Sequence, residues 1–247
     1  MSFSKLINHA GQNLEFAFHE SPAPRDPRHL VLIGHGVTAN MNRPFLKALA
    51  EALATGGFHA LRWSWSGNGG SEGDFRDSCI SREAAELGAI IDQAASAGYT
   101  VSYAGHSMGG AVGVVTAAED ARLRHLICLA PMVQTVRFSE AEFGTVTPDA
   151  GCMWDDPACP LSSTFVNDLR NMGSILTAAE KLPLPVLIIH GQEDDLVPVS
   201  EAEALYHAVL HEHPVSLVRL LTDHVFSGEA TSAMCHEVVE WLAAQTD

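Results

Sequence analysis

The pentapeptide Gly105-His-Ser-Met-Gly109 constrains this chain more than any other feature, because it stands between a predicted strand and a predicted helix. The apolar run at 100–104 before it is typical of a buried strand, and the run at 111–118 after it is typical of a helix. A serine on such a turn takes a cramped backbone conformation, and a side chain in place of either glycine would collide with the neighbouring strand or helix. The pattern alone arises by chance, but in this position it predicts that Ser107 is a nucleophile.

Predicted strands and helices alternate along the rest of the chain. The predicted strands are a hairpin over 3–18, at one edge of the sheet, and runs at 29–33, 59–65, 100–104, 123–131, 185–191 and 215–221. The predicted helices are 44–55, 81–97 with Ser81 as N-cap, 111–118, 200–211 and 231–244. This alternation predicts an α/β fold over residues 1–247, with a mostly parallel central sheet of about eight strands and helices on both faces.

The stretch 132–182 interrupts this alternation after the sixth predicted strand. It has few periodic segments apart from helix-like spacing over 165–181. A stretch of this kind predicts a small insertion, or lid, that covers the site. Its apolar residues either form the core of the insertion or line an acyl or aromatic site; they are Met132, Phe138, Phe143, Met153, Trp154, Phe165 and Met172.

Composition argues against several classes of partner. A chain of 247 residues with 47% hydrophobic content can bury one large core. Its net charge of −16 argues against binding to nucleic acid or to an anionic membrane, because both would be repelled. The sequence shows neither a secretory signal nor an apolar span of membrane length, so we expect a cytoplasmic protein. Its five cysteines, including Cys152 and Cys159 in the insertion, are then expected to be free thiols.

A serine nucleophile needs a base, and the base needs a carboxylate that orients it. Both are expected at strand ends later in the chain, in the order serine, acid, histidine. His224 fits the base because it follows the last predicted strand and precedes the last predicted helix. The loop after the strand at 185–191 offers three acids; Asp194 fits best, Asp195 is the alternative, and Glu193 is interpreted as an exposed charge.

The negative oxygen of a tetrahedral intermediate needs preorganised N–H donors. The sequence predicts the backbone amides of Met108, at the start of its helix, and of Val37, in the loop after the strand at 29–33. Three other histidines precede key turns and are interpreted as packing or hydrogen-bonding residues: His35, His106 and His190. The glycine-rich loop 66–74 lacks the lysine of a phosphate-binding loop and is expected to lie beside the site. Neither a metal-binding spacing nor a cofactor motif is found, and the chemistry needs no cofactor.

With these residues in place, the sequence resembles the α/β-hydrolase family over nearly its whole length. The resemblance is carried by four motifs: His35-Gly36 with Asn40, Gly105-His-Ser-Met-Gly109, Gly191-x-x-Asp194-x-x-Val197-Pro198, and Asp223-His224. They stand where that family has its oxyanion loop, nucleophile, acid and base. The resemblance implies the α/β-hydrolase fold and a serine hydrolase.

A finer resemblance points to the bacterial feruloyl and cinnamoyl esterases. It rests on Gly36-Val-Thr-Ala-Asn40, on Gly67-Asn-Gly-Gly-Ser-Glu-Gly73 and on the small insertion. Those esterases have an acidic residue at the place of Ser64, so this chain departs from their pattern there. The resemblance implies small acyl or hydroxycinnamoyl esters as substrates.

The constellation as a whole predicts hydrolysis of a carboxylic ester of a small molecule through an acyl-enzyme intermediate. The same residues also serve thioesterases, lactonases, aminopeptidases and carbon–carbon bond hydrolases. A protein that has kept the fold for binding and has lost turnover is a further alternative.

Overall fold

Seven strands form the central sheet in the residues that the computed structural model describes, 3–209 and 213–245. They are β3 Phe16–His19, β4 His29–Gly34, β5 His59–Trp63, β6 Thr100–His106, β7 Leu123–Leu129, β8 Val186–Gly191 and β9 Val215–Leu220. Their order across the sheet is β3-β5-β4-β6-β7-β8-β9. β3 pairs antiparallel with β5 at one edge, and all other neighbours are parallel.

The helices cover both faces of this sheet, as predicted. They are α1 Pro44–Thr55, α2 Ile80–Ser96, α3 Met108–Glu119, α4 Thr135–Phe143, α5 Ser163–Met172, α6 Leu176–Ala179, α7 Val199–Val209 and α8 Ala230–Ala244. Side chains of β4 alternate between two cores: Leu30 and Leu32 pack on the side of α2 and α3, while Val31 and Ile33 pack on the side of α1 and α8. Continuous burial on both faces explains the unbroken apolar runs of these strands.

The predicted hairpin over 3–18 is present, but it does not lie in the central sheet. β1 Leu6–Ile7 and β2 Asn13–Leu14 pair antiparallel as a separate two-stranded sheet, closed by hydrogen bonds between Asn8 and Gln12. β3 then crosses to the edge of the central sheet, which therefore has seven strands rather than about eight.

Two predicted helices differ in detail from the structure. Cys79, not Ser81, occupies the N-cap position of α2, and the amide of Ser81 donates to Asp168 Oδ2 at 3.2 Å. The helix-like stretch 165–181 is two helices, because the chain breaks at Gly173 with φ of 71°. The helix predicted over 200–211 corresponds to α7, and the end predicted for it at 210–211 lies outside the described residues.

The segment between β7 and β8 contains α4, α5 and α6 together with a short 3-10 helix at Met153–Asp155. Its start is tied to α7, because the buried Glu201 accepts hydrogen bonds from the amides of Val133 at 2.7 Å and Gln134 at 3.0 Å. Thr135 Oγ1 donates to Leu169 O at 2.8 Å and joins α4 to α5. This segment is thus a packed substructure of helices beside the sheet.

The sheet topology brings four loops to one edge. In parallel strands the carboxyl ends meet at the same edge, so the segments that follow β4, β6, β8 and β9 converge there. Among the described helices, none combines the length and apolarity that a membrane crossing requires.

The central strands are expected to carry most of the stability. Leu32→Ala in the fully buried β4 should lower the free energy of unfolding by about 2–5 kcal/mol, because it removes apolar contacts and leaves a cavity. Leu221→Ala is the matched control: that side chain is 75% exposed, so the change should stay within about 0.5 kcal/mol. Urea unfolding followed by tryptophan fluorescence measures both, and equal losses would contradict the burial.

Candidate active site

Ser107 occupies a strained turn between β6 and α3. Its backbone has φ of 55° and ψ of −118°, a region that residues with side chains rarely adopt. Backbone hydrogen bonds hold it there: the amide of Ser107 donates to Leu129 O at 2.9 Å, and Ser107 O accepts from the amides of Gly110 at 2.9 Å, Met132 at 3.2 Å and Ala111 at 3.3 Å. The serine is consequently fixed at the carboxyl end of the sheet.

The two glycines flanking Ser107 permit this turn by letting backbones approach closely. A Cβ atom at Gly109 would lie 2.6 Å from His35 O, and one at Gly105 would overlap Gly109 O. The crowding predicted from the sequence is confirmed at both positions. The turn that carries Ser107 therefore packs directly against the loop that follows β4.

Asp194 is the carboxylate that contacts His224. His224 Nδ1 lies 2.7 Å from Asp194 Oδ2, and the amides of Leu196 and Val197 donate to Asp194 Oδ1 at 3.0 and 2.8 Å. Burial alone would raise the pKa of Asp194, but the hydrogen bonds from His190 and His224 outweigh it and hold that pKa well below its usual value. Asp194 is thus ionised and able to accept a hydrogen bond from the Nδ1–H of His224.

His190 is a supporting residue whose contact with Asp194 the sequence analysis did not predict. Its Nε2 lies 3.2 Å from Asp194 Oδ2 and 2.8 Å from Val197 O, and its ring is fully buried. The sequence signal for this contact was the spacing of four residues between His190 and Asp194 across the end of β8.

His35 and His106 make hydrogen bonds within the frame of the site, as interpreted from the sequence. His35 Nδ1 donates to Gly36 O at 2.8 Å and its Nε2 accepts from the amide of Trp65 at 3.0 Å. Burial lowers the pKa of His35 to about 4, so this ring is neutral at pH 7. His106 Nε2 donates to His224 O at 2.9 Å, and its pKa is also lowered, chiefly by burial. Both rings therefore hold backbone in place.

Asp195 and Glu193 take other positions. Asp195 is exposed and lines the cavity described next, and it has no hydrogen bond to His224 among the described residues. Glu193 is exposed, and its amide donates to Thr222 O at 3.0 Å. The geometry around His224 thus favours Asp194 over both neighbours.

A cavity of about 430 Å³ opens above Ser107 and His224, which both line it. Within the described part of the chain, the Ser107 hydroxyl forms no hydrogen bond to the His224 ring; in unliganded enzymes such contacts are often long and tighten when substrate binds. Gly36 and Val37 form part of the wall, and a Cβ atom at Gly36 would lie 2.9 Å from the Cβ of Ser107. The loop after β4 thus lies against the nucleophile.

The two amides predicted as oxyanion donors lie at this cavity. Val37 lines it, and Met108 is the first residue of α3, directly after Ser107. Neither amide nitrogen donates to a protein acceptor among residues 3–209 and 213–245. Both donors are therefore available to a ligand.

The insertion contributes Trp154 to the cavity wall. This residue is 42% exposed and has φ of 46°, and its indole N–H donates to Glu142 Oε2 at 2.8 Å. Its ring meets Phe143 edge-on at a centroid distance of 4.9 Å. The other six apolar residues singled out in the sequence at 132–182 do not line this cavity. Five are buried in the core, Met132, Phe138, Phe143, Met153 and Phe165, and Met172 is partly buried and packs against it.

Several lining residues were not predicted from the sequence. Arg43, Phe45 and Leu46 come from the start of α1, and Leu196 and Val225 come from the loops after β8 and β9. The glycine-rich loop 66–74, expected beside the site, contributes no residue to the cavity wall. It is instead held by Glu15, whose Oε2 accepts from the amide of Gly70 at 2.8 Å.

In the part of the chain that is described, no group of three or more His, Cys, Asp or Glu side chains is placed to hold a metal ion. The five cysteines are free thiols. Burial raises the pKa of Cys159 to about 11, so this thiol is protonated at pH 7.

At the level of sequence, the chain matches one family model over part of its length. Residues 25–146, just under half of the chain, match the family model described as serine aminopeptidase, S33. No curated protein shows significant sequence similarity to the chain. The matched segment contains Ser107 but ends before Asp194 and His224.

Solved structures match over nearly the full length. Est1E from Butyrivibrio proteoclasticus, in a structure with ferulic acid bound, is 24% identical, with a TM-score of 0.85 over 97% of this chain and 98% of that chain. Alpha/beta hydrolase domain-containing protein 10 from mouse is 18% identical, with a TM-score of 0.80 over 100% of both chains. Monoacylglycerol lipase from Paleococcus ferrophilus is 20% identical, with a TM-score of 0.73 over 94% of this chain and 98% of that chain. The protein has the α/β-hydrolase fold, as the sequence predicted.

The pairing of His224 with Asp194 can be tested by proton NMR without assuming any reaction. A short hydrogen bond to an ionised carboxylate strongly deshields its proton, so we expect a far-downfield signal from the Nδ1 proton of His224. Asp194→Asn should abolish this signal, whereas Asp195→Asn should retain it. Because the pKa of Asp194 is lowered, the signal should persist as the pH falls to about 4, the usual aspartate pKa, and disappear only at lower pH. A signal that survives in Asp194→Asn would contradict the assignment.

Proposed function

We propose that this protein is a serine hydrolase that cleaves a carboxylic ester through an acyl-enzyme intermediate. The observation that carries the proposal is the 2.7 Å contact between His224 and the ionised Asp194 beside a cavity that Ser107 also lines. A base held by a buried carboxylate next to a serine on a strained turn is the arrangement that activates a hydroxyl at neutral pH.

The first half of the proposed reaction forms the acyl-enzyme. Ser107 Oγ attacks the ester carbonyl while His224 Nε2 takes the hydroxyl proton, and Asp194 stabilises the imidazolium that results. The carbonyl oxygen becomes negative and is bound by the amides of Val37 and Met108, the latter at the positive end of the α3 dipole. When the tetrahedral intermediate collapses, the bond to the alcohol oxygen breaks and His224 gives its proton to the leaving alcohol.

The second half releases the acid. Water takes the place of the alcohol and loses a proton to His224 as its oxygen attacks the acyl carbon. The bond to Ser107 Oγ then breaks, and His224 returns the proton to the serine. This cycle consumes one ester and one water, yields one acid and one alcohol, and requires neither a metal nor a cofactor.

The cavity supports a small acyl or hydroxycinnamoyl ester as substrate. Its volume of about 430 Å³ suits a molecule of that size, and Trp154, Phe45 and Leu46 offer aromatic and aliphatic surface. The overall likeness to Est1E, which has been solved with ferulic acid bound, is in line with an aromatic acyl group. On this proposal the insertion 132–182 is a lid that places Trp154 over the acyl group.

Cleavage of an aminoacyl amide is the second candidate, because residues 25–146 match the family model described as serine aminopeptidase, S33. Turnover of p-nitrophenyl esters compared with aminoacyl p-nitroanilides separates the two activities.

Hydrolysis of thioesters, lactones and carbon–carbon bonds would use the same three side chains. A protein that only binds a ligand would not need the hydrogen bond between Asp194 and His224, so this contact favours an enzyme. A cytoplasmic location remains a prediction.

The nucleophile is tested with Ser107→Ala. Turnover of p-nitrophenyl acetate and methyl ferulate should fall by at least roughly 10⁴-fold, and a fluorophosphonate probe should label the wild type at Ser107 but not the variant. Ser200→Ala, at an exposed serine of α7, is the matched control and should keep both activity and labelling. Wild-type protein that neither labels nor hydrolyses any ester would exclude the proposal.

The oxyanion loop is tested with Gly36→Ala. A Cβ atom there would come within 2.9 Å of the Cβ of Ser107, so the loop must shift and carry the Val37 amide out of position. Loss of one such donor should lower kcat by roughly 10²-fold to 10³-fold. Gly88→Ala, in α2 with no atom within 4 Å of the added Cβ, is the control and should keep wild-type kcat. Equal kcat in the two variants would argue against Val37 as a donor.

A further inference from the structure

A second cavity adjoins the catalytic one. It has a volume of about 230 Å³ and shares Arg43, Phe45 and Val225 with the catalytic cavity. The rest of its wall is formed by Pro44, by Ser227 and Gly228 in the turn before α8, and by Thr231 in the first turn of α8. Because three residues border both spaces, a ligand held at Ser107 can extend past them into the smaller cavity.

Arg43 is the charged residue of the smaller cavity. In the described residues its guanidinium has neither an ion pair nor a hydrogen bond, whereas Arg62, Arg122 and Arg219 bond to other protein groups. Its positive charge reaches the catalytic centre, because it adds to the effect of burial in lowering the pKa of His106. A guanidinium with no protein partner is a ready donor for a carboxylate.

The negative charges of the site lie on the larger cavity. Asp195 and Asp223 line that cavity but not the smaller one. Asp223 is ionised at neutral pH, because the amides of Ser227 and Val225 and the hydroxyls of Ser227 and Thr222 donate to it, outweigh its burial and lower its pKa. An anionic group in the larger cavity meets both the two aspartates and Arg43, whereas one in the smaller cavity meets Arg43 without either aspartate in the wall.

The position of the smaller cavity relative to His224 indicates which part of a substrate enters it. Val225 follows His224 directly and borders both cavities, and Ser227 lies two residues further on. In the proposed mechanism His224 protonates the leaving alcohol, so the alcohol lies next to this histidine. The smaller cavity is thus on the side of the leaving group.

Resting on the proposed function, we propose that the smaller cavity is a subsite for the leaving group and that Arg43 selects esters whose alcohol portion carries a carboxylate. The carboxylate pairs with the Arg43 guanidinium while the aromatic or aliphatic body of the alcohol packs on Phe45 and Val225. Selectivity arises because a neutral alcohol gains no such pairing, and because an anionic acyl group in the larger cavity would face Asp195 and Asp223 as well as Arg43.

The test compares three esters. The first, 4-acetoxybenzoate, carries its charge on the leaving group; the second, 4-acetoxybenzamide, is its neutral isostere; the third, monophenyl succinate, carries its charge on the acyl group. Arg43→Gln should lower the ratio of kcat/KM for the first ester over the second by roughly two- to fivefold, since Arg43 is exposed to solvent. Arg43→Lys should restore part of that ratio, and added salt should shrink the difference.

Arg28→Gln is the matched control, because Arg28 is also exposed but lies at the opposite end of β4, and it should leave the ratio unchanged. An unchanged ratio in Arg43→Gln would overturn the subsite. A loss confined to monophenyl succinate would overturn its assignment to the leaving group.

A binding measurement separates this inference from the proposed function. In the Ser107→Ala background, 4-hydroxybenzoate should bind more tightly than 4-hydroxybenzamide, and adding Arg43→Gln should remove that preference. Wild-type protein that hydrolyses no ester and takes up no fluorophosphonate would defeat the proposed function alone. In that case the preference for 4-hydroxybenzoate would still support an anion subsite at Arg43, and its absence would overturn it.

Discussion

The site depends on one buried negative charge, the carboxylate of Asp194. An ionised carboxylate taken out of water costs several kcal/mol unless it is paired and hydrogen-bonded. Four groups meet this requirement: His224 from the loop after β9, His190 from the end of β8 with its Nε2 at 3.2 Å, and the amides of Leu196 and Val197 in the loop after β8. The loop can therefore take few other conformations without leaving a lone pair of the carboxylate unsatisfied. Because His190, at the end of β8, contacts the same oxygen that accepts from His224, the orientation of the proposed base is tied to the end of the sheet.

Strain at Ser107 is the second constraint, and it is maintained by packing elsewhere. The positive φ of this residue costs on the order of 1–3 kcal/mol. The turn persists because Gly105 and Gly109 have no side chains. Gly105 in β6 can therefore pack against Gly109 in α3, and Gly109 can pack against the backbone oxygen of His35 in the loop after β4. His35 in turn is held between Gly36 and Trp65. The neutral state of that histidine matters here, since a proton on Nε2 would replace the acceptor that the Trp65 amide needs.

Local sequence predicted the features that depend on strand ends, because in a parallel sheet the end of a strand fixes where the next residue lies. Ser107, Asp194 and His224 each follow such an end, and the structure brings Asp194 to His224 and sets Ser107 in the wall of the cavity that His224 also lines. The features that were wrong or missed depend on long-range pairing instead. The short-range sequence pattern does not determine that β3 pairs with β5 while β1 and β2 form a separate sheet. Likewise, Phe45 belongs to α1, whose amphipathic pattern predicts burial, and Arg43 precedes this helix at its N-cap position. Their place at the site depends on how α1 packs against the turn after β9.

The serine at position 64 shows how a local departure from a family pattern can be compensated in space. The resemblance to the feruloyl and cinnamoyl esterases leads one to expect an acid there, and this chain has a serine. Here Glu15, from the segment between β2 and β3, provides the carboxylate: its Oε2 accepts from Ser64 Oγ and from the amide of Gly70, both at 2.8 Å. The hydrogen bond from Gly70 is the main reason that the pKa of Glu15 is lowered, so the carboxylate is charged when it binds the loop. Gly69, with φ of 55°, has no room for a side chain beside this contact, because a Cβ atom there would lie 2.6 Å from Glu15 Oε2. A carboxylate therefore lies beside Ser64 in space although none stands at that position in the sequence.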